Sequence, residues 1–152
     1  MSRSGYCDDY DDDPLVLGRW RAQVASAVRG KRGQAFMRDL IAALDALPDK
    51  RLIPHELNTN TPETLYAGVQ CGVCALGSVG VKRGVNLDVL DPYDHETLSG
   101  VFGIASQLVQ EIEYMNDEGE WRDTPERRWQ RMRAWAVSNL KTPPTPHNRD
   151  GQ

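Results

Sequence analysis

Residues 91–117 read DPYDHETLSGVFGIASQLVQEIEYMND, and the reading of this stretch decides the fold. Asp91 can accept hydrogen bonds from the free N–H groups of a helix start, and Pro92 suits the first helical position, where no N–H is needed. Leu98, Val101 and Phe102 then fall on one helical face. Gly103 can adopt the left-handed conformation that ends a helix. Ser106 is placed to cap a second helix, with Leu108, Ile112 and Met115 on one face and Val109 beside them. Two short amphipathic helices about a glycine turn outline a helix-turn-helix-like hairpin.

The apolar spacing fits that outline. Leu98, Phe102, Ile104, Val109 and Ile112 fall where such units carry core residues, and Ser99 is small where the two helices must approach. The face that would read DNA is Ser106, Gln107, Gln110, Glu111 and Tyr114, and glutamine can pair with adenine edges. The second helix nevertheless carries Glu111 and Glu113 and no Lys or Arg, and Asp117 and Glu118 follow. A DNA-docking helix gains affinity by neutralising phosphates. The plainer reading is a helical hairpin inside a small helical domain.

Outward from the hairpin, helical periodicity continues on both sides. Residues 15–28 form a helix with Trp20, Val24, Ala27 and Val28 as its stripe. Arg29-Gly30-Lys31-Arg32-Gly33 reads as a mobile, exposed turn. Phe36, Leu40, Leu44 and Leu47, with Met37 and Ile41, make the next stripe, which stops before Pro48. Residues 48–68 have loop composition, with room for one short helical turn, and place His55 beside Glu56 as a surface pair. Residues 69–84, VQCGVCALGSVGVKRG, are the most apolar. They suit a short buried helix ended by Lys82 and Arg83, with a strand near 70–80 as the alternative. Beyond an acidic turn at 116–120, Thr124-Pro125-Glu126 is a helix start with cap, proline and first-turn acid. Trp129, Met132, Ala136 and Leu140 form the stripe of that last helix, and Pro143 and Pro144 end it.

The expectation is therefore a mostly α, single-domain bundle of about five helices over 15–141. An acidic tail (1–14) and a short tail (142–152) flank it, both expected to be disordered. Asp8, Asp9, Asp11, Asp12 and Asp13 repel one another and resist folding. Their plain reading is a solvated tail; the functional one is a shield over a basic surface, or phosphate mimicry.

Composition removes several function classes. The 152-residue chain has a formal net charge of −4, so it is not a generic polyanion binder as a whole. No apolar run reaches the ~18–20 residues that span a bilayer, and the polar, acidic start lacks a secretory signal. Three cysteines (Cys7, Cys71, Cys74) without an export signal point to reduced thiols in a cytoplasm. The pair Cys71-x-x-Cys74 has no second cysteine pair to complete a zinc site, and His55 and His95 match no finger spacing. Inert, buried thiols are the expectation, with no metal and no cofactor. Candidate groups for an enzyme are Cys74, His55, His95, Asp94 and Asp117. They show no recognisable nucleophile–base–acid arrangement, and no phosphate loop or dinucleotide fingerprint occurs, so no catalytic residue is expected.

The opening MSRSGYCDD, then RGKRGQAFMRDLIAALDALPDKRLI, CALGSVGVKRG, LDPYD, FGI, EIEYMNDE and TPERRWQRMRAW together cover most of residues 1–140. In these pieces the chain resembles a family of uncharacterised small proteins encoded in bacterial phages and prophages. The segment 59–70 is longer than the usual connection in such relatives. The order CALG, FGI, NDE and a final helix is also distantly similar to a phage and bacterial group with a CCLGVLC motif and a later LND, which implies a helix over 69–81. The resemblance implies lineage and carries no activity with it.

The function that follows is a phage- or prophage-encoded, non-catalytic binding protein that engages a host or phage protein. Charge is segregated between two arginine-rich helices and the acidic tail and central turn, and segregated charge steers association with a complementary partner. Arg29, Lys31, Arg32, Arg127, Arg128 and Arg131 are the expected contact residues. The alternative is a nucleic-acid binder. It would use the hairpin around Gly103, with Ser106, Gln107 and Gln110 toward the bases, or the basic helices without base reading.

Overall fold

A computed structural model describes residues 14–59, 72–118 and 122–141. Among these residues six helices and one 3-10 turn occur, and no strand longer than a single bridge. The helices are α1 (Pro14–Arg29), α2 (Lys31–Ala46), α3 (Ala75–Arg83), α4 (His95–Phe102), α5 (Ser106–Asp117) and α6 (Pro125–Ser138). The 3-10 turn is Leu87–Val89. The mostly helical bundle expected from periodicity is present. The expectations for 1–13, 60–71, 119–121 and 142–152, including Cys7 and Cys71, lie outside the described residues.

α2 is the central element because its apolar side is the widest. Phe36, Met37, Leu40, Ala43 and Leu44 recur at helical spacing and are all buried. They meet α1, α3 and α6 on different sides. Each fully buried large side chain contributes roughly 1.5–3 kcal/mol relative to exposure, so this face outweighs any propensity term in α2. α5 forms the second axis and touches α1, α3, α4 and α6. Leu108, Val109 and Ile112 are its buried side. Phe36 and Phe102 meet edge to face across the junction, with ring centroids 6.2 Å apart.

The predicted break between the first two helices is smaller than expected. Arg29–Gly33 is not a mobile turn: Gly30 alone interrupts the helices, and Gly33 is buried within α2. A Cβ at Gly33 would collide with the Ala27 and Val28 carbonyl oxygens, so glycine here lets the two backbones touch. Gln34 then seals the junction. Its Nε2 donates to Val28 O (2.8 Å) and Asn139 O (3.0 Å), and its Oε1 accepts the Lys141 N–H.

The apolar run at 72–84 is helical over Ala75–Arg83, and the alternative strand does not form beyond a single bridge. Asn58 and Val73 form that antiparallel bridge. Ala75–Arg83 is helical, and Gly84 ends it in the left-handed region. Cys74 is the cap of α3, its Sγ accepting the Gly77 N–H at 3.3 Å. Gly77 lies against the Leu57 carbonyl, where no Cβ fits.

Two expected helix starts move. α4 begins at His95, not Pro92, because Asp94 caps it through Thr97 N, while Asp91 closes a tight turn on Tyr93 N (2.9 Å). Ser106 is the first residue of α5 rather than its cap; Ala105 occupies the cap position and offers no side-chain acceptor. The start of α6 is as predicted, with Thr124 Oγ1 accepting the Arg127 N–H (3.1 Å).

Candidate functional site

The hairpin α4–Gly103–α5 has its expected interior. Gly103 is left-handed and donates to Ser99 O, and Ser99 Oγ donates to Ile104 O at 2.6 Å. Leu98, Phe102, Ile104, Val109 and Ile112 are buried. Its outer face is not that of a DNA reader. Ser106, Gln107 and Gln110 are all half-buried, and α1 packs against α5. Glu111, expected on the reading face, is 3% exposed and accepts Trp20 Nε1 at 3.4 Å. Residues 84–121 contain no Lys or Arg, so the hairpin itself supplies no cation to a phosphate.

Asn116, the last buried residue of α5, joins four segments. Its Oδ1 accepts the Ala75 N–H (3.0 Å) and its Nδ2 donates to Ile53 O and Asp117 Oδ1 (2.9 Å each). Its carbonyl accepts Arg128 Nε at 2.9 Å. Arg128 also donates to Leu52 O and pairs with Asp123 at 3.1 Å. Arg131 donates to Met115 O and Asn116 O, and pairs with Asp123 at 2.9 Å. Both guanidinium groups thus satisfy the last carbonyls of α5, where cations are favoured. Arg128, 7% exposed, and the half-buried Arg131 are therefore internal struts and not the contact residues the sequence suggested. Arg127 stays exposed. Periodicity could not separate these three, because the partner carbonyls come from a helix end brought in by tertiary packing.

The groups considered for catalysis gather in part. Of the five, Cys74, His55 and Asp117 line one cleft, with Glu113, Leu57, Leu76, Pro92, Tyr93 and Ile112, whereas His95 and Asp94 are not among its lining residues. His55 lies at φ 67°, and its N–H donates to Asp117 Oδ1 at 2.9 Å, with Nδ1 3.5 Å from Oδ2. Its acid partner is thus Asp117 rather than the neighbouring Glu56. His95 Nε2 sits 2.7 Å from Glu113 Oε2. Burial raises the Glu113 carboxyl to about 8, helped by the charges of Asp117 and Asp91. Burial lowers His95. Both shifts favour the uncharged forms of the two groups. Burial pushes the Cys74 thiol up to about 12. A thiol so rarely ionised is a weak nucleophile. The cleft itself has room for only about one water molecule. Among the described residues no group of three or more His, Cys, Asp or Glu is arranged to hold a metal ion.

The remaining candidate is cationic. Arg29, Lys31 and Arg32 are exposed around Gly30, and Arg19, Arg21 and Arg38 are exposed on the same two helices. None of the six forms an ion pair among the described residues. Several cations elsewhere are held by acids: Asp39 takes Lys82 and Arg83, Asp45 takes Arg133, and Glu126 takes Arg51. No side chain caps the start of α2 at Gly30. An uncapped helix start offers N–H groups and a positive dipole end to an anion, here beside three exposed charges. No described helix is long and apolar enough to cross a membrane. The chain matches no protein-family model, no curated protein and no solved structure.

Proposed function

We propose that this chain is a non-catalytic binding protein of phage or prophage origin. Its contact surface is the cationic junction of α1 and α2, and its partner is an acidic surface of a host or phage protein. The observation that carries this reading is the contrast in charge use. Arg29, Lys31 and Arg32 have no acid among the described residues, whereas Lys82, Arg83, Arg128, Arg131 and Arg133 do. Charges left unpaired and exposed raise the encounter rate with a complementary partner and fix its orientation. The inert Cys74 and the water-sized cleft support the absence of catalysis.

Nucleic acid is the second reading, favoured by the uncapped α2 start, which suits a phosphate as well as a carboxylate. Binding would follow the backbone without base selection, since Ser106, Gln107 and Gln110 are half-buried. One experiment separates the two. The tagged chain and an Arg29→Ala/Lys31→Ala/Arg32→Ala variant are cross-linked in bacterial lysate, with and without nuclease. A protein captured by the native chain alone, whether or not nuclease is present, is the expected result. Loss of the adduct after nuclease would replace the protein partner by nucleic acid. Equal capture by the variant would remove the cationic junction as the contact surface.

A further inference from the structure

Five aspartates lie immediately before α1: Asp8, Asp9, Asp11, Asp12 and Asp13. The chain enters α1 at Pro14, and α1 leads straight into the cationic junction. We propose that this acidic segment docks along the exposed side of α1 onto the cationic junction and competes there with the acidic partner. The proposal rests on the reading of that junction as the contact surface.

Charge complementarity and chain length carry it. Arg19 and Arg29 are ten residues apart on α1, within about 80° of each other around the axis, and both are exposed. From Pro14, Arg19 is about 7.5 Å along the helix and Arg29 about 22 Å, at 1.5 Å per residue. An extended chain covers at most ~3.3–3.6 Å per residue, so Asp8, six residues before Pro14, reaches about 20 Å. Folded back along α1, the segment therefore places Asp11–Asp13 near Arg19, and at near-full extension Asp8 comes within reach of the Arg29 side chain, which leans toward the start of the helix. A shorter acidic run would stop at Arg19. The described acids offer these cations no competing partner, since Asp39 and Asp45 are already paired with Lys82, Arg83 and Arg133. Tethering makes the contact intramolecular, with an effective concentration in the millimolar range for so short a linker. Individually weak exposed pairs then act together.

The same aspartates could do no more than favour the start of α1 through its dipole. The test is built to tell these apart. In the full chain all five aspartates are changed to asparagine, which keeps the capping oxygens. Amide shifts of Arg19 and of residues 29–33 are recorded by NMR at low salt and at 0.5 M salt. Fluorescence anisotropy with a labelled random DNA duplex, used as a generic polyanion, gives affinity for the junction. Docking predicts that the asparagine variant shifts Arg19 and residues 29–33, and that high salt moves the native shifts toward those of the variant. It also predicts at least about tenfold tighter duplex binding at low salt, lost when Arg29, Lys31 and Arg32 are changed to Ala in the same variant. Unchanged shifts at residues 29–33 would overturn docking, even if affinity rises through net charge alone or α1 loses stability. Binding that is equal in the native chain and the asparagine variant, yet lost in the alanine variant, overturns docking but leaves the cationic junction standing. If the asparagine variant and the native chain both fail to bind the duplex at low salt, and residues 29–33 do not shift, the junction and its competitor fall together.

Discussion

Asn116 at the end of α5 accepts the backbone N–H of Ala75 at the start of α3, at 3.0 Å, inside the protein. One side chain thereby joins a helix end to a helix start 41 residues away, and its amide nitrogen holds Ile53 O of the segment between α2 and α3. Changing Asn116 to Ala leaves the Ala75 N–H and the Ile53 carbonyl unpaired in a buried place. Each such group costs about 1–3 kcal/mol, so a loss of about 2–4 kcal/mol is expected in urea denaturation. Asn116→Asp restores the acceptor for Ala75 but not the donor for Ile53, and sets a charge beside Asp117 and Glu113. It is expected to be no more stable than the alanine variant. Near-native stability for either variant would show that the junction is held by packing alone.

The glycines divide by what surrounds them. At Gly33 and Gly77 a Cβ would strike backbone carbonyls, of Ala27 and Leu57, which cannot rotate away. Gly33→Ala and Gly77→Ala are therefore expected to cost about 2 kcal/mol or more, by forcing elements apart. Gly18 in α1 and Gly100 in α4 have open space at the Cβ position and helical backbone. Alanine there removes unfolded-chain freedom and should stabilise by about 0.5–1 kcal/mol. Four single variants compared by thermal melting test the packing directly; a destabilised Gly18→Ala would contradict the open α1 surface.

Arginines of the last helix should behave as differently as their surroundings. Arg128→Ala leaves the Asp123 carboxylate, itself nearly buried, and the carbonyls of Asn116 and Leu52 with fewer partners. Breaking a buried pair on one side costs about 3–5 kcal/mol. Arg127 is exposed, and only its backbone N–H is engaged, so Arg127→Ala should stay within about 0.5 kcal/mol of the native chain. If both variants unfold alike in denaturant, the inward role of Arg128 is wrong.

What the sequence made legible, and what it did not, follows from the range of the interactions. The stripes of α2 and α6 and the interior of the α4–α5 hairpin depend on residues three and four apart, and periodicity finds them. Thr124 caps α6 through a contact within one turn, which local sequence also encodes. Gly33 looked like a loop residue because its reason lies in the Ala27 carbonyl of another helix. Arg128 and Arg131 looked like surface charges because Asp123 is near in sequence but the end of α5 is not. The cleft of His55, Cys74, Glu113 and Asp117 brings together residues up to 62 positions apart, beyond any spacing rule. One local signal was available. The absence of Lys and Arg over 84–121 marks an acidic stretch, in which burial and neighbouring charges raise the Glu113 carboxyl.

Glu113 gives that acidic stretch a measurable pH dependence. Its carboxyl titrates near 4.5 in the unfolded chain and near 8 in the folded one, because burial and the charges of Asp117 and Asp91 oppose ionisation. Below the unfolded value both states hold the proton and nothing is lost. As pH rises toward 8 the unfolded chain releases its proton while the folded chain keeps it, so stability falls across that window. Above it the loss is complete, with an upper bound of about 5 kcal/mol. His95 acts in the opposite sense: burial lowers it from 6.5, so its contribution is lost as pH falls below that value. Glu113→Gln keeps a group able to bond His95 but cannot ionise. The variant should match the native chain at pH 5 and exceed it by about 1–3 kcal/mol at pH 8.5, measured by urea denaturation at both pH values. A native chain whose stability is flat from pH 5 to 8.5, or a variant that loses stability equally at both, would mean that Glu113 is ionised in the folded protein and paired with a charged His95.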